Sequence, residues 1–277
     1  MNRRRSSHLL VLTALLVAPL AWSLRAAAVD VRTNLTYYSG QDADKYRHRL
    51  DLYLPKGQRD VPVLMFVHGG GFTQGIKEQY AFVGEMFAAR GVATAVVNYR
   101  LSPKVSHPSH VQDVARAFAW LHAHVADYGG RPDRIFVSGH SAGGHLVALL
   151  GTDPKYLEQV GESMAHVAGI IPLSGTYTVS SRSGLFNGAT PSATELRDAS
   201  PIAHVAGPHP PFLLLYGDMD APRTREDARQ MAAALKEAGG SAEVHELSAH
   251  GHMDVITGVR SPADEGSRFI LAFVAGH

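Results

Sequence analysis

Residues 134–150 read RIFVSGHSAGGHLVALL, and this stretch decides the fold that the sequence predicts. A buried strand predicted at residues 134–137 runs into the pattern Gly-x-Ser-x-Gly, and a helical segment leaves it. A strand–turn–helix junction of this kind exposes a serine hydroxyl at the end of a strand. Side chains at Gly139 and Gly143 would collide with the neighbouring strand and helix, which explains both glycines. The bare pattern arises by chance about 0.2 times in such a chain, so the alternative of an incidental serine at Ser141 stays open here.

A second glycine-rich motif, HGGGF at residues 68–72, directly follows a continuous apolar run at residues 63–67. Successive glycines let the backbone approach a substrate closely and turn its amides inward. We predict that the backbone N–H groups of Gly70, Gly71 and Ala142 form an oxyanion hole, in which each donor is worth about 3 kcal/mol in a transition state. The alternative is a flexible glycine loop without a ligand.

A nucleophilic serine needs a base, and the base needs an acid that orients it. Two polar loops follow predicted strands late in the chain: residues 217–220 read GDMD and residues 250–252 read HGH. Both loops lie at carboxyl ends of strands, where α/β sheets place their sites. We predict that His252 is the base and Asp220 the acid that serve Ser141. The choice of Asp220 depends on the family resemblance given below. The alternatives in the same loops are His250 and Asp218, of which Asp218 would cap the turn.

The rest of the chain alternates predicted strands and helices, which indicates an α/β fold with a mostly parallel sheet and helices on both faces. Residues 31–38 and 48–54 alternate apolar and polar side chains, which predicts half-exposed antiparallel strands at the N-terminal edge. Residues 174–211 show no clear period and predict a connection that walls the site, without a large cap domain. The remaining predictions are strands at 93–97, 168–173, 212–216 and 242–247, and helices at 78–90, 108–128, 142–150, 225–238 and 261–275.

Together these motifs resemble those of α/β-hydrolase carboxylesterases of the hormone-sensitive-lipase-like group, including bacterial acetyl and feruloyl esterases and kynurenine formamidases. The resemblance covers most of residues 30–277 and also includes Asn98-Tyr99-Arg100-Leu101. It implies the α/β-hydrolase fold, with Asp220 matching the family acid through Gly-x-x-Asp and His252 the family base. It also implies that Gly70, Gly71 and Ala142 are the oxyanion donors. The N-terminal cap helices of the group have no counterpart here, which predicts an open site for small acyl groups.

The N-terminal residues are typical of a secretory signal peptide. Residues 1–28 carry a basic head, an apolar run at residues 9–18 and an Ala-x-Ala pattern ending at Ala28. An uncleaved anchor is the alternative, but the run is shorter than the roughly 20 residues that cross a bilayer. We therefore predict a signal peptide over 1–28, one α/β-hydrolase domain over 29–277, and a secreted or periplasmic protein without stable membrane insertion.

Composition excludes several kinds of function. Removal of the four arginines in residues 1–28 would change the formal net charge from +1 to −3, so no basic surface indicates nucleic acid. The chain has no cysteine, which excludes disulfides and thiolate metal sites. The spacing of His122 and His124, or of His250 and His252, does not indicate a metal site. We predict no cofactor and no metal; the oligomeric state stays open.

The predicted activity is hydrolysis of small acyl esters, acetyl or aryl in type, through an acyl-enzyme, with a small-molecule or polysaccharide-linked ester as substrate. An amidase, formamidase or peptidase would use the same triad, and a catalytically silent binding protein of this fold is a further alternative. The predicted substrate contacts flank the catalytic segments, although ordinary packing explains each of them equally well. They are Phe72, His140, Tyr177, Leu185, Phe186 and Met253.

Overall fold

The computed structural model describes residues 28–277, in which eight strands form one sheet. All but Ala28 of the predicted signal peptide therefore lies outside the described residues. The strands are β1 (Val29–Thr36), β2 (Arg49–Pro55), β3 (Val61–Val67), β4 (Ala93–Val97), β5 (Gly130–His140), β6 (Val167–Leu173), β7 (Phe212–Gly217) and β8 (Ala242–Leu247). The helices are α1 (Ala81–Ala88), α2 (Ser109–His124), α3 (Ala142–Thr152), α4 (Lys155–Glu158), α5 (Ala193–Asp198), α6 (Pro222–Glu237), α7 (Asp254–Thr257) and α8 (Glu265–Gly276).

The sheet order is β1-β2-β4-β3-β5-β6-β7-β8. The two pairings at the N-terminal edge, β1 with β2 and β2 with β4, are antiparallel, and every other pairing is parallel. Apolar side chains of α2, α3 and α6 pack on one face, and those of α1 and α8 pack on the other. The predicted fold, a mostly parallel sheet with an antiparallel edge and helices on both faces, is confirmed.

The prediction of a half-exposed β2 is wrong. Only Arg49 of this strand is partly exposed, because β2 lies between β1 and β4 and is covered by helices. Tyr53 packs so closely on α1 that a β-carbon at Gly84 would lie 2.2 Å from its ring. The polar position Asp51 is buried and pairs with Lys77 at 2.8 Å. The alternating pattern therefore arises from an internal ion pair and not from solvent exposure.

The connection over residues 174–211 contains α5 and short 3-10 turns in place of a large cap. Helix α5 was not predicted, although Ser192 and Glu195 form a capping box that marks its start. Helix α8 begins four residues later than predicted, because the Asp264 side chain caps it by accepting from the Ser267 N–H. Among residues 28–277, no helix combines the length and the apolar character needed to cross a membrane.

Candidate active site

Ser141 lies at the sharp turn between β5 and α3. Its backbone has φ 56° and ψ −115°, a conformation that is costly for a residue with a side chain. A β-carbon at Gly139 would lie 2.6 Å from the Gly143 backbone, and one at Gly143 would lie 2.1 Å from the Val67 carbonyl oxygen. The predicted collisions at both glycines are confirmed. The strained turn is therefore possible only because both flanking positions lack side chains.

A continuous hydrogen-bonded chain joins the three residues predicted as nucleophile, base and acid. The Ser141 Oγ lies 2.9 Å from His252 Nε2, and His252 Nδ1 lies 2.8 Å from Asp220 Oδ1. Because the carboxylate only accepts, Nδ1 carries the proton and Nε2 is free to accept the serine hydroxyl proton. The Asp220 side chain is 1% exposed and that of His252 is 42% exposed, so the acid is enclosed while the base faces solvent.

Asp220 has a second side-chain donor, which the sequence analysis missed. Ser174, the residue after β6, donates its hydroxyl to Asp220 Oδ2 at 2.5 Å, and the Gly217 N–H approaches the same oxygen at 3.4 Å. Burial alone would raise the pKa of the Asp220 carboxyl, but the hydrogen bonds from His252 and Ser174 hold that pKa below its usual range. A serine at the carboxyl end of a neighbouring strand was the only sequence signal for this contact.

The HGGGF loop lies beside Ser141. A β-carbon at Gly69 would stand 3.3 Å from the Ser141 β-carbon, and Gly70 and Gly71 have φ values of 121° and 60°. Across residues 28–277, the N–H groups of Gly70 and Gly71 donate to no backbone or side-chain acceptor. The N–H of Ala142, as the first residue of α3, has no partner inside the helix. The three predicted oxyanion donors are thus available near the predicted nucleophile.

His140 is buried behind the loop that carries His252 and presents no surface to a substrate. It is 1% exposed, and its Nε2 donates to the backbone carbonyl of His252 at 2.8 Å. Burial, reinforced by the neighbouring His252, lowers the pKa of His140 to about 4, so the ring is neutral at pH 7. The prediction of His140 as a substrate contact is corrected to a role in positioning the loop that carries His252.

The other predicted substrate contacts separate into three environments. Phe72 borders a cavity of about 270 Å³ and packs edge-on against His145. Tyr177 is fully buried in the core, which leaves no surface for a substrate, so its prediction as a contact is wrong. Phe186 is also buried and packs against the His107 ring, and Leu185 is fully buried. Met253, beside His252, is 55% exposed and remains a predicted contact.

Asp218 and His250, the alternatives to Asp220 and His252, hold the loop after β8. The Asp218 carboxylate accepts from the N–H groups of Ala249 and His250, both at 3.0 Å. The His250 ring donates from Nε2 to Asp264, the residue that caps α8, at 2.8 Å. Neither residue hydrogen-bonds to the predicted nucleophile, so the structure assigns both to loop architecture.

A carboxylate accompanies one of the histidines that the sequence analysis dismissed as metal ligands. His122, Glu162 and His166 offer ligand atoms that all lie within 4.8 Å of one another. The two rings stack at 4.6 Å, and each donates from Nδ1 to the Glu162 carboxylate. These hydrogen bonds satisfy the carboxylate, and the cluster does not contact the residues around Ser141.

The sheet order, the strained serine turn and the Ser–His–Asp chain define the α/β-hydrolase fold. The family model BD-FAE matches residues 50–235 of this chain, and the chain therefore belongs to the BD-FAE family. This confirms the predicted resemblance to α/β-hydrolases of the hormone-sensitive-lipase-like group.

The curated relatives are longer than this chain. The probable carboxylic ester hydrolase LipM of Mycobacterium tuberculosis is 33% identical over 64% of this chain and 45% of the relative. The probable isoprenylcysteine alpha-carbonyl methylesterase ICMEL1 of Arabidopsis thaliana is 29% identical over 89% of this chain and 56% of the relative. The chain thus spans about half the length of the curated relatives it matches.

Solved structures share the fold. A truncated carbohydrate esterase from gut microbiota superposes with a TM-score of 0.78 at 20% identity, covering 92% of this chain and 98% of that one. An esterase B from a Lactobacillus superposes with a TM-score of 0.73 at 20% identity, covering 89% of this chain and 85% of that one.

Proposed function

We propose that the protein is a serine carboxylesterase that hydrolyses small acyl esters through an acyl-enzyme. The observation that carries the proposal is the unbroken chain from Ser141 Oγ through His252 to the Asp220 carboxylate. A silent member of the fold would be expected to lack a member of this set or an oxyanion donor. In this protein the base and the acid lie at hydrogen-bond distance from their partners, and the oxyanion loop lies beside Ser141.

The geometry supports a two-step reaction. His252 Nε2 removes the Ser141 proton as the oxygen attacks the ester carbonyl, and the Gly70, Gly71 and Ala142 amides stabilise the charge on the carbonyl oxygen. The imidazolium, stabilised by Asp220, then protonates the leaving alcohol, and a bond between Ser141 and the acyl carbon remains. Water attacks that carbon with His252 again as base, which releases the acid and restores the serine.

The names of several relatives support ester hydrolysis. LipM and LipQ of Mycobacterium tuberculosis are named as an ester hydrolase and an esterase, and ICMEL1 as a methylesterase. The half-exposed His252 ring and the absence of a large cap between β6 and β7 leave the site open, which favours small acyl groups over long chains that need an enclosed apolar tunnel.

Two assays test the proposal. Ser141→Ala should abolish labelling by a fluorophosphonate probe and lower p-nitrophenyl acetate turnover by about 10⁵- to 10⁶-fold, since triad members act as a unit. Ser163→Ala, which changes an exposed serine outside the triad, is the control and should label normally. Equal labelling of the wild type and Ser141→Ala would remove this serine from the mechanism. Esters of two to sixteen carbons measure acyl preference, and p-nitroacetanilide measures the amidase alternative.

We also propose export, with a small-molecule or polysaccharide-linked ester as substrate. The support is the signal-peptide pattern in residues 1–28 and the likeness to esterases; neither identifies the alcohol. Expression of the full chain, followed by N-terminal sequencing of the extracellular or periplasmic fraction, should give a first residue near Val29. Retention of Met1 in a membrane pellet would contradict cleavage.

A further inference from the structure

The cavity bordered by Phe72 lies beside two parts of the candidate active site, the oxyanion loop and the first turn of α3. Phe72 directly follows the oxyanion loop. Gly184, the residue after the lining residue Ser183, packs on that loop so closely that a β-carbon there would lie 2.3 Å from the Gly71 carbonyl oxygen. His145, a second lining residue, lies one turn after Ser141 and donates its N–H to the Ser141 carbonyl at 3.0 Å. This space of about 270 Å³ therefore lies next to the segments that carry Ser141 and the oxyanion donors.

The lining of the cavity combines apolar surface with hydroxyl groups and two positively charged side chains. Its apolar contributions are Phe72 and Val179, whereas hydroxyl side chains line the walls, Thr176 and Thr178 among them. Arg182 and Arg223 complete the lining, and no acidic side chain belongs to it. A long alkyl chain would leave these hydroxyls and guanidinium groups without partners, which is unfavourable.

Among the described residues, neither arginine forms an ion pair with a carboxylate, although Glu226 and Asp227 line a neighbouring pocket together with Arg223. Within the described part of the chain, Arg182 forms no hydrogen bond or ion pair, and Arg223 forms no ion pair and one hydrogen bond, to the Thr178 carbonyl at 3.2 Å. Of these two acids, Asp227 already accepts from the N–H groups of Tyr177 and Thr178 at 2.6 and 3.1 Å, and Glu226 is exposed to solvent. The third lining base, His145, is neutral, because burial lowers its pKa to about 4.

We propose that this cavity binds a carboxylate carried by the substrate, with Arg182 and Arg223 as the groups that recognise it. The inference rests on the proposed ester hydrolysis and adds its substrate class: esters in which the acyl or the alcohol part bears a negative charge. Guanidinium groups pair with carboxylates through two parallel N–H···O bonds, and the hydroxyl-lined walls accommodate a polar linker. The arginines are exposed, so the preference depends on ionic strength.

Two matched substrate pairs test the inference: monoethyl adipate against ethyl hexanoate, and 4-acetoxybenzoate against phenyl acetate. We expect a kcat/KM about 5- to 10-fold higher for the charged member of at least one pair, mainly through KM, because exposed charge pairs contribute modestly. The double variant Arg182→Gln/Arg223→Gln should abolish this preference, so that the ratio of kcat/KM for the charged and the neutral member of each pair falls to about one. Arg197→Gln, an exposed arginine on α5, is the control and should retain it.

The outcomes separate the inference from the proposed function. Hydrolysis of neutral esters that Ser141→Ala abolishes supports the triad whatever the charge preference. A wild type without preference in both pairs, or a preference that survives in the double variant or in 0.5 M NaCl, overturns the carboxylate site. Calorimetric titration of Ser141→Ala with monoethyl adipate gives a readout without turnover, and the two glutamine substitutions should weaken that binding by about the same factor.

Discussion

The loops after β7 and β8 carry two aspartates and two histidines with the same spacing, and the two sets do different work. Asp220 and His252 point to Ser141 and form the hydrogen-bonded chain. Asp218 and His250, each two residues earlier, bind backbone N–H groups and the cap of α8. Residue type and spacing therefore identify the two loops that carry the acid and the base. The path of the backbone determines which aspartate and which histidine in those loops take part in the triad.

Substitution of the two histidines should show the largest contrast. His252→Gln removes the base and should lower kcat/KM for p-nitrophenyl acetate by about 10⁵-fold, because the remaining groups cannot take the serine proton. His250→Gln should change kcat/KM by less than about 3-fold, since the ion pair that is lost, with Asp264, lies outside the triad. Stopped-flow release of p-nitrophenol measures both. A similar loss in the two variants would show that His250 shares in the chemistry.

The two aspartates should show a smaller contrast. Asp220→Asn keeps the shape of the side chain but no longer stabilises the imidazolium, and it should lower kcat by about 10³- to 10⁴-fold. Asp218→Asn leaves the triad intact but keeps an acceptor for only one of the Ala249 and His250 N–H groups, so the melting temperature should fall while kcat stays within about 5-fold. If Asp218→Asn proves the more damaging to kcat, the assignment of the acid reverses.

Ser174→Ala sharpens the comparison by testing what distinguishes Asp220 from Asp218. Loss of the hydroxyl removes one of the hydrogen bonds that hold the Asp220 carboxylate beside His252 and lower its pKa, so kcat should fall about 3- to 10-fold. The rate is measured with p-nitrophenyl acetate at about pH 8, where the carboxyl stays ionised in both proteins. Ser138→Ala, which loses a buried hydrogen bond to the Ile171 carbonyl, is the control and should keep the wild-type kcat.

The smallest effect concerns the pH dependence of stability. Partial burial opposes a charged His250, but the Ser248 carbonyl and the Asp264 carboxylate outweigh it and raise the pKa of the ring. The stabilisation is therefore fully present below about pH 6.5, the usual histidine pKa, and is lost as the pH rises through the raised value. Relative to His250→Gln, the wild type should melt about 1–3 °C higher at pH 5.5 and no higher at pH 9. An equal difference at both pH values would show that charge plays no part.

Most of the strands and helices could be predicted from the hydrophobic pattern of short segments of the sequence. The apolar runs of β3 to β7 and the helical spacing of α2 and α6 gave elements within a few residues of those observed, because burial on two faces or one imposes its period directly. The pattern failed at β2, where the polar residue Asp51 is buried against Lys77, a partner outside the strand. It failed also at Tyr177, which was expected to face the site and is buried in the core.

By itself the sequence determined the strand–helix order, the serine turn and the loops that carry an acid and a base, since glycine sterics and hydrophobic periodicity act between near neighbours in the chain. Which histidine contacts Ser141, and which acid contacts that histidine, depends on the tertiary structure. The same is true of the hydrogen bond from Ser174 to Asp220 and of the one from His140 to the His252 carbonyl. The folded chain also places Arg182 and Arg223 in one cavity. The physical reason is that hydrogen bonds and charge pairs depend on distances of a few ångströms between segments far apart in sequence, and those distances exist only once the sheet has assembled.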